Sequence, residues 1–434
     1  MLALLALLQL QAAALPAAPV DSLPVVTLAE ALRRATGLDP NYVAAIGQLD
    51  NAVWARRSAF AVFILPSVTL GTQANHYTPG FFNPANPAGP PIKNVVQAQA
   101  TLSYDVFTGG QKVAELTRSA AALDGAHAGE LRARFAAALA TESTYYAVLA
   151  GNELTRVARE RVQRAEQQLG VARARVTSGA AVQTDSLQLQ LELARARVGL
   201  LRQATDLRVG RLALGSRVGA DGPVEAAPLD SVLPATLPIA LDAALEEAAL
   251  QGPQYRQARA NERAAAAAFR AHLGTYLPKA TLAWNRTGFD NRFAPQAFNV
   301  NTLTLNVSFP LWDNARREIA LSQARVDHDV ARATREAMER SVRRDVTAAY
   351  DGFVTARAAA DIAKQAVAVA RETYRVQQSR YRAGASTILD LLTAQADLDD
   401  AESGLVQARY ATRLALAGLE AILGRRLFQE REQR

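Results

Sequence analysis

Four histidines, 41 carboxylates and no cysteine bound the chemistry open to this 434-residue chain. His76, His127, His272 and His328 stand alone, without the paired spacing of a metal site. Asp327-His328-Asp329 is the one dense group, but consecutive helical residues point to different faces, and a wetted surface is the plainer reading. Without Cys there is no thiolate ligand, no cysteine nucleophile, no disulfide framework and no acylated N-terminal cysteine. The phosphate-cradling pattern G-x-x-x-x-G-K-[ST] does not occur, and Gly109-Gly110 is an isolated strand-to-helix turn. Asn285-Arg-Thr287 and Asn306-Val-Ser308 match the glycosylation pattern but fall on expected strands. Nothing here supports catalysis, a cofactor or a metal. Two acids remain, Asp185 and Asp390, each near an expected helix start, where a carboxylate favourably meets the helix dipole. Their work depends on the elements that carry them.

Those elements occur twice. Leu28-Ala-Glu-Ala-Leu32 matches Leu241-Asp-Ala-Ala-Leu245, and Pro40-Asn-Tyr42 matches Pro253-Gln-Tyr255. Leu65-Pro66 matches Leu277-Pro278, and Leu102-Ser-Tyr-Asp-Val-Phe107 matches Val307-Ser-Phe-Pro-Leu-Trp312. Tyr145 pairs with Tyr350, Gly179 with Gly384, Asp185 with Asp390 and Gly215 with Gly424. The order is kept at a spacing of roughly 205 to 213 residues, the mark of an internal duplication. The expected organisation is a first repeat over 25–218, a Pro-rich connector over 219–238 and a second repeat over 239–427.

Within each repeat a short helix (about 27–36, then about 241–250) precedes a longer one that starts at Pro40 or Pro253, since proline is tolerated in a first helical turn. Leu-Pro at Pro66 and Pro278 ends it. A strand hairpin follows, about 67–107 and then 279–312. Val96, Ala98, Ala100, Leu102, Tyr104 and Val106 alternate with polar residues, as do Leu303, Leu305, Val307 and Phe309, the pattern of tilted barrel strands. A soluble sheet with one wet face has the same alternation. The first hairpin loop, Thr78 to Lys93, is Pro-rich and carries Phe81 and Phe82. The second is shorter, Phe289 to Phe298, and loops absorb such differences.

Long helix pairs complete each repeat, 110–215 and 315–423. Proline is absent from 110–176 and from 315–382, so each first helix extends on the order of 100 Å at 1.5 Å per residue. Such lengths imply coiled-coil packing. Gly179 and Gly384 sit where a helix ends and the chain turns back.

Half the residues are hydrophobic, yet after residue 20 no run of 18 apolar residues exists, which leaves no transmembrane helix. Residues 1–18, opening MLALLALLQL, read as an export signal lacking its usual basic start. The net charge of +7 comes almost wholly from arginines dispersed among acids, with lysine only at Lys93, Lys112, Lys279 and Lys364. That describes a solvated helical surface rather than a nucleic-acid patch.

An exported chain with barrel strands and such helices fits a protein that spans an outer membrane and reaches into the periplasm. Four strands cannot close a membrane barrel, and an open edge in lipid is prohibitively costly. Three copies together supply about 12 strands, within the observed range.

The plan resembles the TolC family of outer-membrane efflux and secretion channels over about Val25 to Leu427. The resemblance rests on the paired openings, the Leu-Pro strand entries, Leu102 to Gly110 with Val307 to Asp313, and the turns Arg175-Val-Thr-Ser-Gly179…Asp185 and Tyr381-Arg-Ala-Gly384…Asp390. It implies a mainly α fold with a small β part, assembled as a trimeric β-barrel/α-barrel channel. That channel is a passive exit duct closed at its periplasmic tip and engaged by a periplasmic adaptor and an inner-membrane pump. Its outer face meets outer-membrane lipid, and it serves multidrug efflux or type I secretion. By the same resemblance Asp390 falls at the first position of an acidic constriction, with Thr393 where some members carry a second Asp. Thr184, Asp185 and Tyr381 match positions that latch neighbouring helices. Ser386 stands where some members have a latch arginine, which is missing or moved, with Arg382 as a substitute. Gly179 and Gly384 mark the turns an adaptor would touch. The alternatives are a periplasmic adaptor, which would carry lipoyl-like modules, and a soluble coiled-coil scaffold, which has no use for alternating strands.

Overall fold

The computed structural model describes residues 23–81, 88–229, 236–290 and 298–428. The expected export signal, 1–18, lies outside them, as do parts of both hairpin loops and of the connector.

The first repeat runs β1 (Val25–Val26), α1 (Leu28–Leu38), α2 (Pro40–Ile64), β2 (Ser67–Phe81), β3 (Ile92–Phe107), α3 (Gln111–Thr177) and α4 (Gln183–Val218). After β4 (Glu225–Ala226) the second repeats it as α5 (Leu241–Gln251), α6 (Pro253–Leu273), β5 (Lys279–Asp290), β6 (Phe298–Ser308), α7 (Arg316–Arg382) and α8 (Ile388–Leu423). The duplication extends to lengths: α3 and α7 each have 67 residues, α4 and α8 each 36.

Side-chain caps start the first two helices. The Thr27 hydroxyl accepts from the Glu30 amide at 3.3 Å, and Asp39 accepts from the Asn41 and Tyr42 amides at 2.9 and 3.2 Å ahead of Pro40. α1 runs two residues past its expected end. α6 stops at Leu273 and a 3₁₀ turn, Gly274–Tyr276, intervenes before Pro278, whereas α2 runs to Ile64 with no such turn before Pro66.

The four long strands form one antiparallel sheet in the order β2-β3-β5-β6. Its register stacks apolar rows on one face: Val68–Leu102–Trp284–Leu303 is one, Tyr104–Leu282–Leu305 the next. The other face is uncharged and polar over the rows Thr69–Thr101–Asn285–Thr302 and Ser67–Ser103–Ala283–Thr304. There the Thr101 hydroxyl donates to Asn285 Oδ1 at 2.8 Å. Over these rows period-two alternation becomes two chemically distinct faces, while farther along the strands the first face also carries Thr72, Arg286 and Asn301.

The helices continue this four-element layer away from the sheet. Next to it α2 packs on α3, α3 on α6 and α6 on α7; beyond, α4 packs on α3, α3 on α8 and α8 on α7. Only α3 and α7 run the whole length. Midway, β1 and β4 pair in parallel, so the connector contributes a strand that meets the start of the first repeat. Tyr145, fully buried, donates to the carbonyl of Ala227 at 2.7 Å, and its repeat partner Tyr350 donates to that of Ile239 at 3.4 Å. His328 stacks on Phe269 with ring centroids 6.4 Å apart, and no group able to hold a metal exists among the described residues.

Where strand turns into long helix the repeats differ. The first uses Gly109 and Gly110 at φ 61° and 84°; the second puts Asn314 and Ala315 at φ 58° and 60°. Asn tolerates that region through its short polar side chain, whereas the Ala315 Cβ does not. Ala315→Gly is therefore expected to stabilise the protein by about 1 kcal/mol, relief of left-handed strain outweighing the added chain entropy. A lowered melting temperature in differential scanning calorimetry would contradict this.

Candidate gate at the helix tips

At the end far from the sheet the chain reverses twice in near-identical turns. Gly179 (φ 76°) and Gly384 (φ 77°) occupy the left-handed region that glycine enters without steric cost. Ala180 N donates to Arg175 O and Ala385 N to Arg380 O, both at 2.8 Å, while Gly179 N and Gly384 N donate to Val176 O and Tyr381 O. These bonds satisfy the last carbonyls of α3 and α7. Arg175 and Arg380 each reach over their turn to the carbonyl of Ala180 or Ala385, at 3.1 and 3.3 Å.

The helices leaving the turns start differently, and this separates the two acids. At α8 the Thr387 hydroxyl accepts from the Asp390 amide at 3.2 Å, while Asp390 Oδ2 accepts from the Thr387 amide at 3.0 Å and from its hydroxyl at 2.8 Å. This is a capping box. The bonds from Thr387, chiefly the backbone one, hold the Asp390 carboxyl below its ordinary value. Its contribution to the helix start is thus present at neutral pH and lost as pH falls through that depressed value.

In α4 the position equivalent to Thr387 is Val182, which has no hydroxyl to form the box. Asp185 is left free and turns to the other repeat, where its Oδ2 accepts from the Tyr381 hydroxyl at 3.3 Å. Tyr381 is buried, with the Arg175 guanidinium 4.7 Å above its ring and hydrogen bonded to its carbonyl oxygen. Burial first, and then the charge of Asp185, push the Tyr381 hydroxyl up, so it stays protonated and donates.

Of the residues singled out from sequence, Asp185 and Tyr381 meet directly. Thr184 is exposed at the same helix start, and Asp390 and Thr393 lie exposed one turn apart on α8. Ser386 is half-buried and its hydroxyl has no hydrogen-bond partner. Arg382 is exposed and borders a small cleft with Gln168, Gln378 and Tyr381. The cation engaging the Asp185–Tyr381 contact is Arg175, which sequence reasoning passed over. The repeat alignment held the signal, since Arg175 precedes Gly179 by the same four residues as Arg380 precedes Gly384.

A known family model matches both repeats of this chain. The model for outer membrane efflux proteins matches residues 42–220 and 244–425. The chain belongs to the outer membrane efflux protein family. The two matched stretches follow the two repeats, with β4 and the connector near the break.

Solved structures share the fold across nearly the whole efflux-protein chain. The outer membrane protein VceC from Vibrio cholerae superposes with a TM-score of 0.78 at 18% identity, covering 92% of this chain and 97% of that one. The Campylobacter jejuni CmeC outer membrane channel gives 0.79 at 14% identity, covering 92% and 85%. Protein CyaE of Bordetella pertussis is 29% identical over 188 residues, 43% of this chain and 40% of that relative's own length.

The tip chemistry yields two expectations. Removing the cap with Thr387→Ala costs about 1 kcal/mol of local helix stability, read as a roughly five-fold faster amide exchange over residues 388–391. Tyr381→Phe deletes only the donor to Asp185; faster exchange around residue 185 with the α8 start unchanged is the expected pattern, and no change at either place would mean the contact holds nothing.

Proposed function

We propose that three copies of this efflux protein form a passive exit duct through an outer membrane, closed at the Gly179 and Gly384 turns until a periplasmic adaptor engages them. Support comes above all from the two unlike edges of the layer. One edge runs β2, α2, α4 and the other β6, α7, and each strand edge has a row of unpaired backbone groups. Lipid offers these groups no hydrogen bonds, so only ring closure satisfies them. Unlike edges that meet head to tail make rings, and three copies supply about 12 strands.

The helical edges carry matching apolar stripes. Leu187, Leu191, Val198 and Leu201 are exposed on α4 at coiled-coil spacing, and Ile362, Val369 and Val376 are exposed on α7 seven residues apart. A groove of about 500 Å³ runs beside Val369 and Val376. Leu201 and Ile362 each lie about 30 Å from their tip turn at 1.5 Å per residue, so the two stripes share a height.

In this assembly the apolar sheet face meets lipid, and the uncharged row of Thr, Asn and Ser lines the pore. Adaptor contact at the tip turns would loosen the Asp185–Tyr381 latch, with Thr184, Ser386 and Arg382 beside it. Asp390 from three copies, with Thr393 below it, would narrow the entrance with a ring of charge. Energy would come from an inner-membrane pump, in an efflux pump or a type I secretion system. Efflux is favoured by the description of the family model. The rival readings as an adaptor or a soluble scaffold leave the apolar sheet face without a use.

Two experiments bear on the assembly and the pore. The chain has no cysteine, so Leu201→Cys with Ile362→Cys is a clean pair, expected to oxidise into a covalently linked trimer on a denaturing gel. Persistent monomer would contradict the ring. In planar bilayers the protein is expected to show a small cation-preferring conductance, and Asp390→Ala to weaken that preference. Unchanged selectivity would remove Asp390 from the constriction.

A further inference from the structure

About 20 Å from the tip turns, at 1.5 Å per residue, the seam between the two repeats carries a buried polar cluster beside apolar residues such as Leu169, Ala394 and Leu398, where a coiled coil is ordinarily apolar throughout. Arg161, Arg164 and Gln168 recur along α3 at spacings of three and four, and Gln395, Asp399 and Glu402 recur likewise along α8. Arg164 donates to Asp399 Oδ1 at 2.7 Å and to Glu402 Oε2 at 3.1 Å. Arg161 Nε stands 3.1 Å from Asp399 Oδ2, and its Nη2 donates to Glu192 of α4 at 2.6 Å. Arg371 of α7 donates to Glu402 Oε1 at 2.9 Å. All four helices therefore contribute to one cluster, and both of its α8 carboxylates are buried.

The cluster is incompletely satisfied. Gln395 is 1% exposed and neither atom of its amide has a hydrogen-bond partner. Gln168 donates to the Tyr374 hydroxyl at 2.6 Å, but its Oε1 is unpaired, as is Arg164 Nε. Burial pushes the Asp399 carboxyl up in spite of the two guanidinium groups beside it.

These facts have a mechanical meaning. An apolar seam resists separation in proportion to the area it exposes to water. A buried ion pair roughly breaks even against hydration, while an orphaned amide gains partners when water enters. Charge pairing of this kind also fixes one register, since sliding α8 along α3 would bury unpaired charges.

We propose that Arg161, Arg164, Asp399 and Glu402 form a buried charge lock and that the seam around them is the plane on which the two repeats part when the tip opens. The lock positions α7 and α8 against α3 and α4 in the closed state, and hydration offsets its loss in the open one. It lies deeper than the Asp185–Tyr381 latch, so an adaptor at the turns would act on it through the helices. This inference rests on the channel reading.

The test is conductance of full-length purified trimers in planar bilayers, with thermal stability of the trimer measured alongside. Asp399→Ala leaves two guanidinium groups short of a partner and is expected to raise closed-state conductance several-fold. Arg164→Asp alone should do the same, and Arg164→Asp combined with Asp399→Arg should bring conductance only part of the way back to the wild-type level, since the new carboxylate then faces Glu402 and the new guanidinium faces Arg161. Arg164→Leu with Asp399→Leu replaces the central ion pair with apolar groups, while Glu402 keeps Arg371 and Arg161 keeps Glu192; those trimers should be more heat-resistant, with conductance below wild type. The two double variants carry the test should the single ones fail to assemble. The lock is overturned if assembled single variants conduct like wild type, or if the leucine pair opens as readily as wild type. Wild-type protein that never conducts would overturn the channel reading, and the lock with it.

Discussion

Backbone hydrogen bonding at the sheet edges is the constraint on which the rest of the structure depends. Four strands arranged β2-β3-β5-β6 leave one side of β2 and one side of β6 without strand partners among the described residues. The layer of helices inherits the same two edges, because α2 leads into β2 and α7 leads out of β6. In the proposed ring, such an edge would be completed by a second copy, and the unlikeness of the two edges would make the closure head to tail. Exposed apolar stripes on α4 and α7 lie along the same two edges.

Duplication gives the layer its regularity, and divergence between the copies gives it chemistry. Helices of 67 and 36 residues recur in both halves, as do the glycine turns and the arginine that closes each turn. One exchange, Val182 where the other copy has Thr387, alters what the following acid does. With a hydroxyl three residues upstream the carboxylate caps its own helix, and without one Asp185 reaches across to Tyr381. Two residues of one origin thus serve a local and a tertiary purpose. The deeper charge cluster follows the same logic, since α3 supplies Arg161 and Arg164 and α8 supplies Asp399 and Glu402, joined by Glu192 of α4 and Arg371 of α7.

Much of this was legible in the chain because its signals are local. Proline, glycine and the change from period two to period 3.6 mark every long element, and two copies of each mark reduce chance agreement. The Pro40 helix start and both glycine turns behave as their residue types require. The 3₁₀ turn ahead of Pro278 was not legible, since neither composition nor periodicity separates it from the end of α2. Nor was the parallel pairing of β1 with β4, two residues on each side and about two hundred positions apart in sequence.

By itself, then, the sequence determined the repeat, the long helices, the two-faced strands and the positions of the tip turns, because each follows from chain stereochemistry and hydrophobic period within a few residues. Only the tertiary structure decided which charges meet. Arg175 over Tyr381, Asp185 against its hydroxyl, and Arg164 between Asp399 and Glu402 join residues some two hundred positions apart. An arginine on a long polar helix looks alike whether it faces water or a buried carboxylate. Its role is fixed by which helix packs against it, and the order α4-α3-α8-α7 is a property of the packed layer.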